Sequence, residues 1–249
     1  MCTVTIVPKP GLKDAFRMAC NRDESHGRAP ADPPKHPGRK DYLDQRFVLM
    51  PIDPSSGGTW VAVNDAGIAF TLLNYNLPEP PTDRDQSRGA VIPFLAQADT
   101  VEDALAMAGQ LERERMMPFR LVICDGKTLV LWRSTEPVEK TEIRPWSSEP
   151  VMFTSSGLGD HLVEGPRREL FEDWFGADVA INFDHQRDFH RHRWLDKQHV
   201  SIDMYREDAR TVSYTVVDVE LNNATIRYYA DGPSQTAPPV TDTMTIFKR

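Results

Sequence analysis

The order of periodic segments is what most constrains this chain: strand pairs joined by short turns recur along it, and no strand–helix–strand alternation appears. Residues 3–7 alternate polar and apolar with β-branched side chains, and after the Pro10-Gly11 turn residues 15–20 form a second short apolar run. The glycine turn at 55–60 leads into a strand over 60–64, and Asp65-Ala66-Gly67 reverses the chain into residues 68–74. The pattern turns helical over 89–98. A second helix is capped by Thr100, with Asp103 three residues on, and runs to about residue 114. Strands follow at 120–124, 128–133, 138–143 and 151–154, then a helix over 167–175, then a hairpin of 211–220 with 224–229 around Asn222-Asn223. This order predicts an α+β fold of layered, mainly antiparallel sheets. It argues against a Rossmann or flavodoxin arrangement, and no glycine-rich phosphate loop is present.

Length and charge narrow the function classes. A chain of 249 residues, 40% hydrophobic and 27% charged, suits one soluble domain over residues 1–249, with a loose C-terminal arm at about 233–249. No apolar run approaches the roughly 18–20 residues of a membrane span, and the first residues lack the pattern of a secretory signal, so a cytoplasmic location is expected. The net charge of −8 disfavours a nucleic-acid partner and favours a small molecule. Cys2, Cys20 and Cys124 are odd in number and widely spaced, which points to reduced thiols rather than disulfides or structural zinc. His190-Arg191-His192, with His185, His199, Asp184 and Asp188 nearby, raises a metal or haem site. The interleaved arginines would repel a cation, so a polar surface or the lining of a substrate mouth is the better reading. Neither cofactor nor metal is expected. The long loop over 25–45, rich in proline and charge, offers residues 30–37 as a weaker candidate for protein interaction.

Chemistry concentrates at the start. If Met1 is removed, Cys2 carries both a thiol and a free α-amine, and an amine titrating at about 7.7–8.0 can take the thiol's proton near neutral pH. The rival reading of Cys2 is an inert residue opening a buried strand.

Four patches then occur in one order: Met1-Cys2-Thr3, Asn21-Arg22-Asp23-Glu24, Gly57-Gly58-Thr59-Trp60, and Asn64-Asp65-Ala66-Gly67-Ile68-Ala69 leading to Leu73-Asn74-Tyr75. Together they resemble the NRDE family, also called the transport and Golgi organisation family. More remotely they are similar to the choloylglycine hydrolase and penicillin acylase branch of the N-terminal nucleophile hydrolases. The resemblance implies a four-layer αββα sandwich. It implies Cys2 as nucleophile, Asp23 as the aspartate orienting it, and Asn74 as an oxyanion-hole donor. Asn21, Arg22, Arg17, Ser155, Ser156 and Arg210 are implied as possible supporting residues. Two departures stand out: Cys20 occupies the place of an arginine three residues before Asp23, and Thr154-Ser155-Ser156 replaces a segment that carries a second asparagine.

The expected activity is amide cleavage or acyl transfer on a small acylated molecule through a Cys2 thioester. The alternative is a non-catalytic carrier of a lipid, acyl-CoA or haem-like ligand.

Overall fold

The computed structural model describes residues 2–34, 45–146, 149–176 and 181–247. Among these, strands β1 (Cys2–Pro8), β2 (Phe16–Ser25), β9 (Val151–Thr154), β10 (Ala209–Val219), β11 (Asn223–Tyr229) and β12 (Val240–Thr245) form one antiparallel sheet, in the order β12-β11-β10-β2-β1-β9. Strands β3 (Val48–Leu49), β4 (Val61–Asn64), β5 (Ala69–Asn74), β6 (Phe119–Cys124), β7 (Thr128–Arg133) and β8 (Glu142–Pro145) form the second, also antiparallel and in chain order.

Alternation along each strand sorts side chains between layers. In β1 and β2, Cys2, Val4, Ile6, Phe16, Met18 and Cys20 enter the core between the sheets, which Val61, Val63, Ala69 and Leu73 of the second sheet complete. Val7 faces the other way, onto Phe175 of helix α3 (Asp160–Phe175) and Phe189 of α4 (Phe183–His190). On the second sheet Ala62, Phe70 and Leu72 point outward, beneath α1 (Val91–Leu95) and α2 (Val101–Ala108). Helices therefore cover the outer face of both sheets, giving the expected αββα sandwich. With both faces covered, central strands such as β1 are buried along nearly their whole length.

The structure departs from the sequence expectations in four places. The segment over 138–143 splits into a 3-10 turn at Val138–Lys140 followed by β8. Helix α3 begins at Asp160, so Pro166 lies inside it rather than before it. The stretch expected as a loose arm supplies the edge strand β12, paired with β11 from Asn223↔Thr245 to Tyr228↔Val240. The expected helix to about residue 114 stops at Ala108, and a separate 3-10 turn follows at Arg113–Arg115. Residues 35–44 of the proline-rich loop lie outside the described residues, as does Met1. No helix among the described residues is long and apolar enough to cross a membrane.

Candidate functional site

Cys2 opens the central strand β1, held between β2 and β9. Its backbone pairs in register with Arg22, and its carbonyl accepts from Ser155 N–H at 2.9 Å. Its own nitrogen donates to Ser155 Oγ at 3.2 Å. The cysteine is 4% exposed, and it borders a cavity of about 320 Å³ together with Arg22, Asp23, Trp60 and Asn74. Cys20 stands diagonal to Cys2 across the β1–β2 pair, its thiol donating to the Asn21 carbonyl at 3.7 Å. The neighbouring Cys20 thiol holds the Cys2 pKa below the ordinary thiol value, against burial, which pushes it up. The proximity of Cys2, reinforced by burial, drives Cys20 well above the ordinary value. Cys124 lies apart in β6, pushed up to about 12 by burial.

Asp23 sits near the end of β2 and is 1% exposed. Burial raises its pKa, and the positive charge of Arg167 works against that rise. Thr211 Oγ1 donates to Asp23 Oδ1 at 2.6 Å. The hydroxyl is oriented for this, because its oxygen already accepts from Met204 N–H at 2.9 Å. A register shift in β10 between Thr211 and Ser213 sets Thr211 opposite Asp23. Asn74 closes β5 on the facing sheet and borders both this cavity and a neighbouring one of about 610 Å³.

The supporting residues separate into two groups. Arg22 belongs to the cavity: its guanidinium lies 4.0 Å from the Trp60 ring centroid and donates to Asp53 Oδ2 at 2.8 Å. Ser155 sits at the Cys2 nitrogen rather than in the cavity wall. Ser156 starts the loop into α3, its N–H donating to Asp160 Oδ1 at 2.9 Å. Arg17 lies five residues down β2, opposite Val7, and pairs with Asp218 at 2.8 Å. Arg210 is partly exposed and 3.9 Å from Asp231, away from the cavity wall.

Asn21 faces the helices. Its Nδ2 donates to the carbonyls of His190 and Ile202, both at 2.9 Å, so its Oδ1 accepts from His190 Nδ1 at 3.0 Å. His190 Nε2 is left to accept from Thr5 Oγ1 at 2.8 Å. Burial lowers the His190 pKa to about 3, keeping the ring neutral. His190 is thus an interior strut rather than part of the polar surface or substrate mouth expected of this segment, and no group of three or more His, Cys, Asp or Glu among the described residues could hold a metal ion.

Sequence reasoning passed over Arg167, Arg88, Asp53 and Thr211. Arg167 is 1% exposed beneath β1, where Nη1 donates to Thr3 Oγ1 (2.9 Å) and Thr154 Oγ1 (2.5 Å). Its Nε and Nη2 donate to the carbonyls of Val200 (2.9 Å) and Ser201 (2.8 Å). A signal existed: Arg167 follows Val163 by four residues and precedes Leu170 and Phe171 by three and four, inside the apolar stripe of its helix. The NRDE patch of β2 thus sends alternate residues to opposite faces, with Asp23 at the strand end reaching the cavity as well.

The glycine patches serve geometry. A Cβ on Gly58 would stand 2.3 Å from Gly89 Cα, so only glycine allows that approach. Gly67 has φ 82° in the β4–β5 turn, whose N–H groups at Ala66 and Ile68 are both accepted by Asn64 Oδ1.

The family model for transport and Golgi organisation 2 matches residues 1–221. No curated protein matches the sequence at a significant level. Among solved structures, penicillin V acylase from Agrobacterium tumefaciens superposes with a TM-score of 0.50 at 12% identity, over 98% of this chain and 86% of its own. A mutant conjugated bile acid hydrolase from Clostridium perfringens gives 0.50 at 11% identity, over 99% and 92%. The N-acylethanolamine-hydrolyzing acid amidase ortholog of Caenorhabditis elegans gives 0.51 at 8% identity, over 86% and 92%. These neighbours are N-terminal nucleophile hydrolases, and the likeness is one of fold.

Proposed function

This chain belongs to the transport and Golgi organisation 2 family, and we propose that it cleaves, or transfers the acyl group of, an amide of a small acylated molecule, with Cys2 as nucleophile. The observation that carries the reading is the placement of Cys2 at the head of a central strand and at the edge of a cavity that Asp23 and Asn74 also border. Removal of Met1 turns the Cys2 nitrogen, already hydrogen-bonded to Ser155 Oγ, into an α-amine beside the thiol.

In this mechanism the amine takes the thiol proton and the sulfur attacks the acyl carbon. The Asn74 amide N–H stabilises the oxyanion, a contribution of roughly 2.7–4 kcal/mol in comparable sites. Asp23, steadied by Thr211, holds the resulting ammonium. That ammonium returns the proton to the leaving nitrogen as the C–N bond breaks, leaving a thioester. Water then attacks the thioester, releasing the carboxylic acid and restoring the thiol; an amine in place of water gives acyl transfer. Domain extent over residues 1–249 and a cytoplasmic location accord with this reading and are part of the proposal.

Intact-mass measurement of the purified chain, followed by labelling with a small electrophile, tests it. The expected result is loss of Met1 and labelling of Cys2 ahead of Cys20 and Cys124. Cys2→Ala is expected to remove all acyl-group turnover while the chain still folds. A retained Met1 in cells, or equal labelling of all three thiols in the folded protein, would sink the enzyme reading and favour a non-catalytic carrier of an acyl or haem-like ligand.

A further inference from the structure

Three arginines border the Cys2 cavity, and they are not equivalent. Arg22 and Arg28 are both neutralised by Asp53, with Glu24 also within reach of each. Arg88 makes no ion pair among the described residues. Among those residues its one hydrogen bond is from Nη1 to the Pro118 carbonyl, at 3.0 Å, which leaves further guanidinium N–H donors to serve a ligand.

The backbone beneath Arg88 is held firmly. Ser87 Oγ accepts from Gly89 N–H at 3.2 Å, the Gly89 carbonyl accepts from Thr59 N–H at 3.1 Å, and the Gly58–Gly89 contact admits no side chain between them. The Gly57-Gly58-Thr59-Trp60 patch therefore fixes where this arginine stands. Arg88 borders the 320 Å³ cavity and, with Asn74 and Gly157, also the 610 Å³ cavity. The larger cavity is walled mainly by apolar groups, among them Leu77, Pro78, Pro80, Met117 and Leu158. A fixed cation thus stands where a polar chamber holding the thiol meets a larger apolar one.

Building on the amide-cleavage reading, we propose that Arg88 recognises an anionic group, and that the substrates are N-acyl compounds with an apolar acyl chain in the larger cavity and a carboxylate or phosphate-type group on the amine side. A planar guanidinium pairs with either anion.

The test uses the full chain and three probes: N-dodecanoylglycine, its neutral isostere N-dodecanoylglycinamide, and N-dodecanoylaminomethylphosphonate. Binding to the Cys2→Ala protein is read by calorimetry, and turnover by the unsubstituted protein is read as dodecanoate release. The anionic probes are expected to bind at least about tenfold more tightly than the neutral one, the scale of one charge-assisted hydrogen bond. Arg88→Gln should erase that preference and Arg88→Lys keep part of it, while the tighter of the two anions identifies the headgroup. Equal binding of all three, no binding of any, or a preference that survives Arg88→Gln overturns the proposal. Preference without turnover supports anion recognition and counts against amide cleavage. Turnover without preference overturns only the role of Arg88.

Discussion

The two faces of the β1–β2 hairpin carry polar groups put to different uses. Toward the facing sheet stand Cys2, Cys20 and Arg22, buried but bordering or adjoining a cavity, with a perturbed thiol pair and an arginine stacked on Trp60. Toward α3 and α4 stand Thr3, Thr5 and Asn21, which join Arg167 and His190 in hydrogen bonds to one another and to main-chain carbonyls. A difference of one residue in the pleat therefore separates groups available to a ligand from groups consumed by the fold. Thr3, Thr5, Asn21, Arg167 and His190 find their partners within the fold, although Gln186 Oε1 and the Tyr214 hydroxyl beside them are buried without one among the described residues; the cavity side keeps a thiol and an arginine in reserve.

The sharpest way to break this comparison is to cut the helix-side network. Arg167→Ala leaves Thr3, Thr154 and two carbonyls without their donor in a buried site, and should cost on the order of 3 kcal/mol or more. Cys2→Ala, at the neighbour of Thr3 that faces the other way, should cost about 1 kcal/mol or less. Urea midpoints of the two variants check this, and similar losses would mean that the two faces are not separate in function.

The same division explains how much of the molecule could be read in the sequence. Antiparallel layering was legible, because hairpin turns and strand alternation are local signals, and so was the set Cys2, Asp23 and Asn74, because each lies in an ordered patch. The helix-side network was hidden. Asn21 is one residue from Arg22 in the same motif, yet strand parity turns it to the opposite face, where it meets His190, about 170 residues along the chain. Arg17 and Arg22 are suggested by their nearness to Asp23 and Arg210 by the resemblance, whereas Arg88 reaches the cavity from another element through packing that no local pattern encodes, and Arg167 shows only as an arginine inside the apolar stripe of its helix. Helix α3 was cut short because Pro166 reads as a boundary, and only its placement inside the helix shows otherwise.

A second test exploits Asp23, where the two environments meet. Asp23→Asn should lower turnover about tenfold to a hundredfold by weakening the hold on the ammonium. Stability should move the other way. The folded pKa is raised, so the carboxyl favours the folded state below its unfolded pKa and loses that contribution as pH rises through the folded value. The variant lacks this loss, so its stability relative to the native chain should rise between acid and neutral pH. Thermal melts across that range, beside rate measurements at neutral pH, separate the two effects. Unchanged turnover would remove Asp23 from the mechanism.

The smallest expected effect sharpens the comparison within the cavity face itself. Cys20 stands where the resembling hydrolases carry an arginine, and here a neutral thiol rather than a fixed charge bears on the nucleophile. A neutral neighbour is worth less than a charge, so Cys20→Ala should raise the Cys2 pKa only modestly. The rate of Cys2 labelling by iodoacetamide near pH 7 should fall roughly three- to tenfold, the range of one net hydrogen bond. The deficit should close as pH rises past the thiol's own titration, because a fully ionised sulfur no longer depends on its neighbour to form. Mass-resolved labelling over a pH series checks this, with Cys124, held near 12 by burial, as an internal unreactive thiol. A deficit constant at every pH would mean that Cys20 acts by packing alone. No deficit at all would leave the thiol pair without influence on the nucleophile, and the low Cys2 pKa would have to come from the positive charges nearby, Arg22 among them.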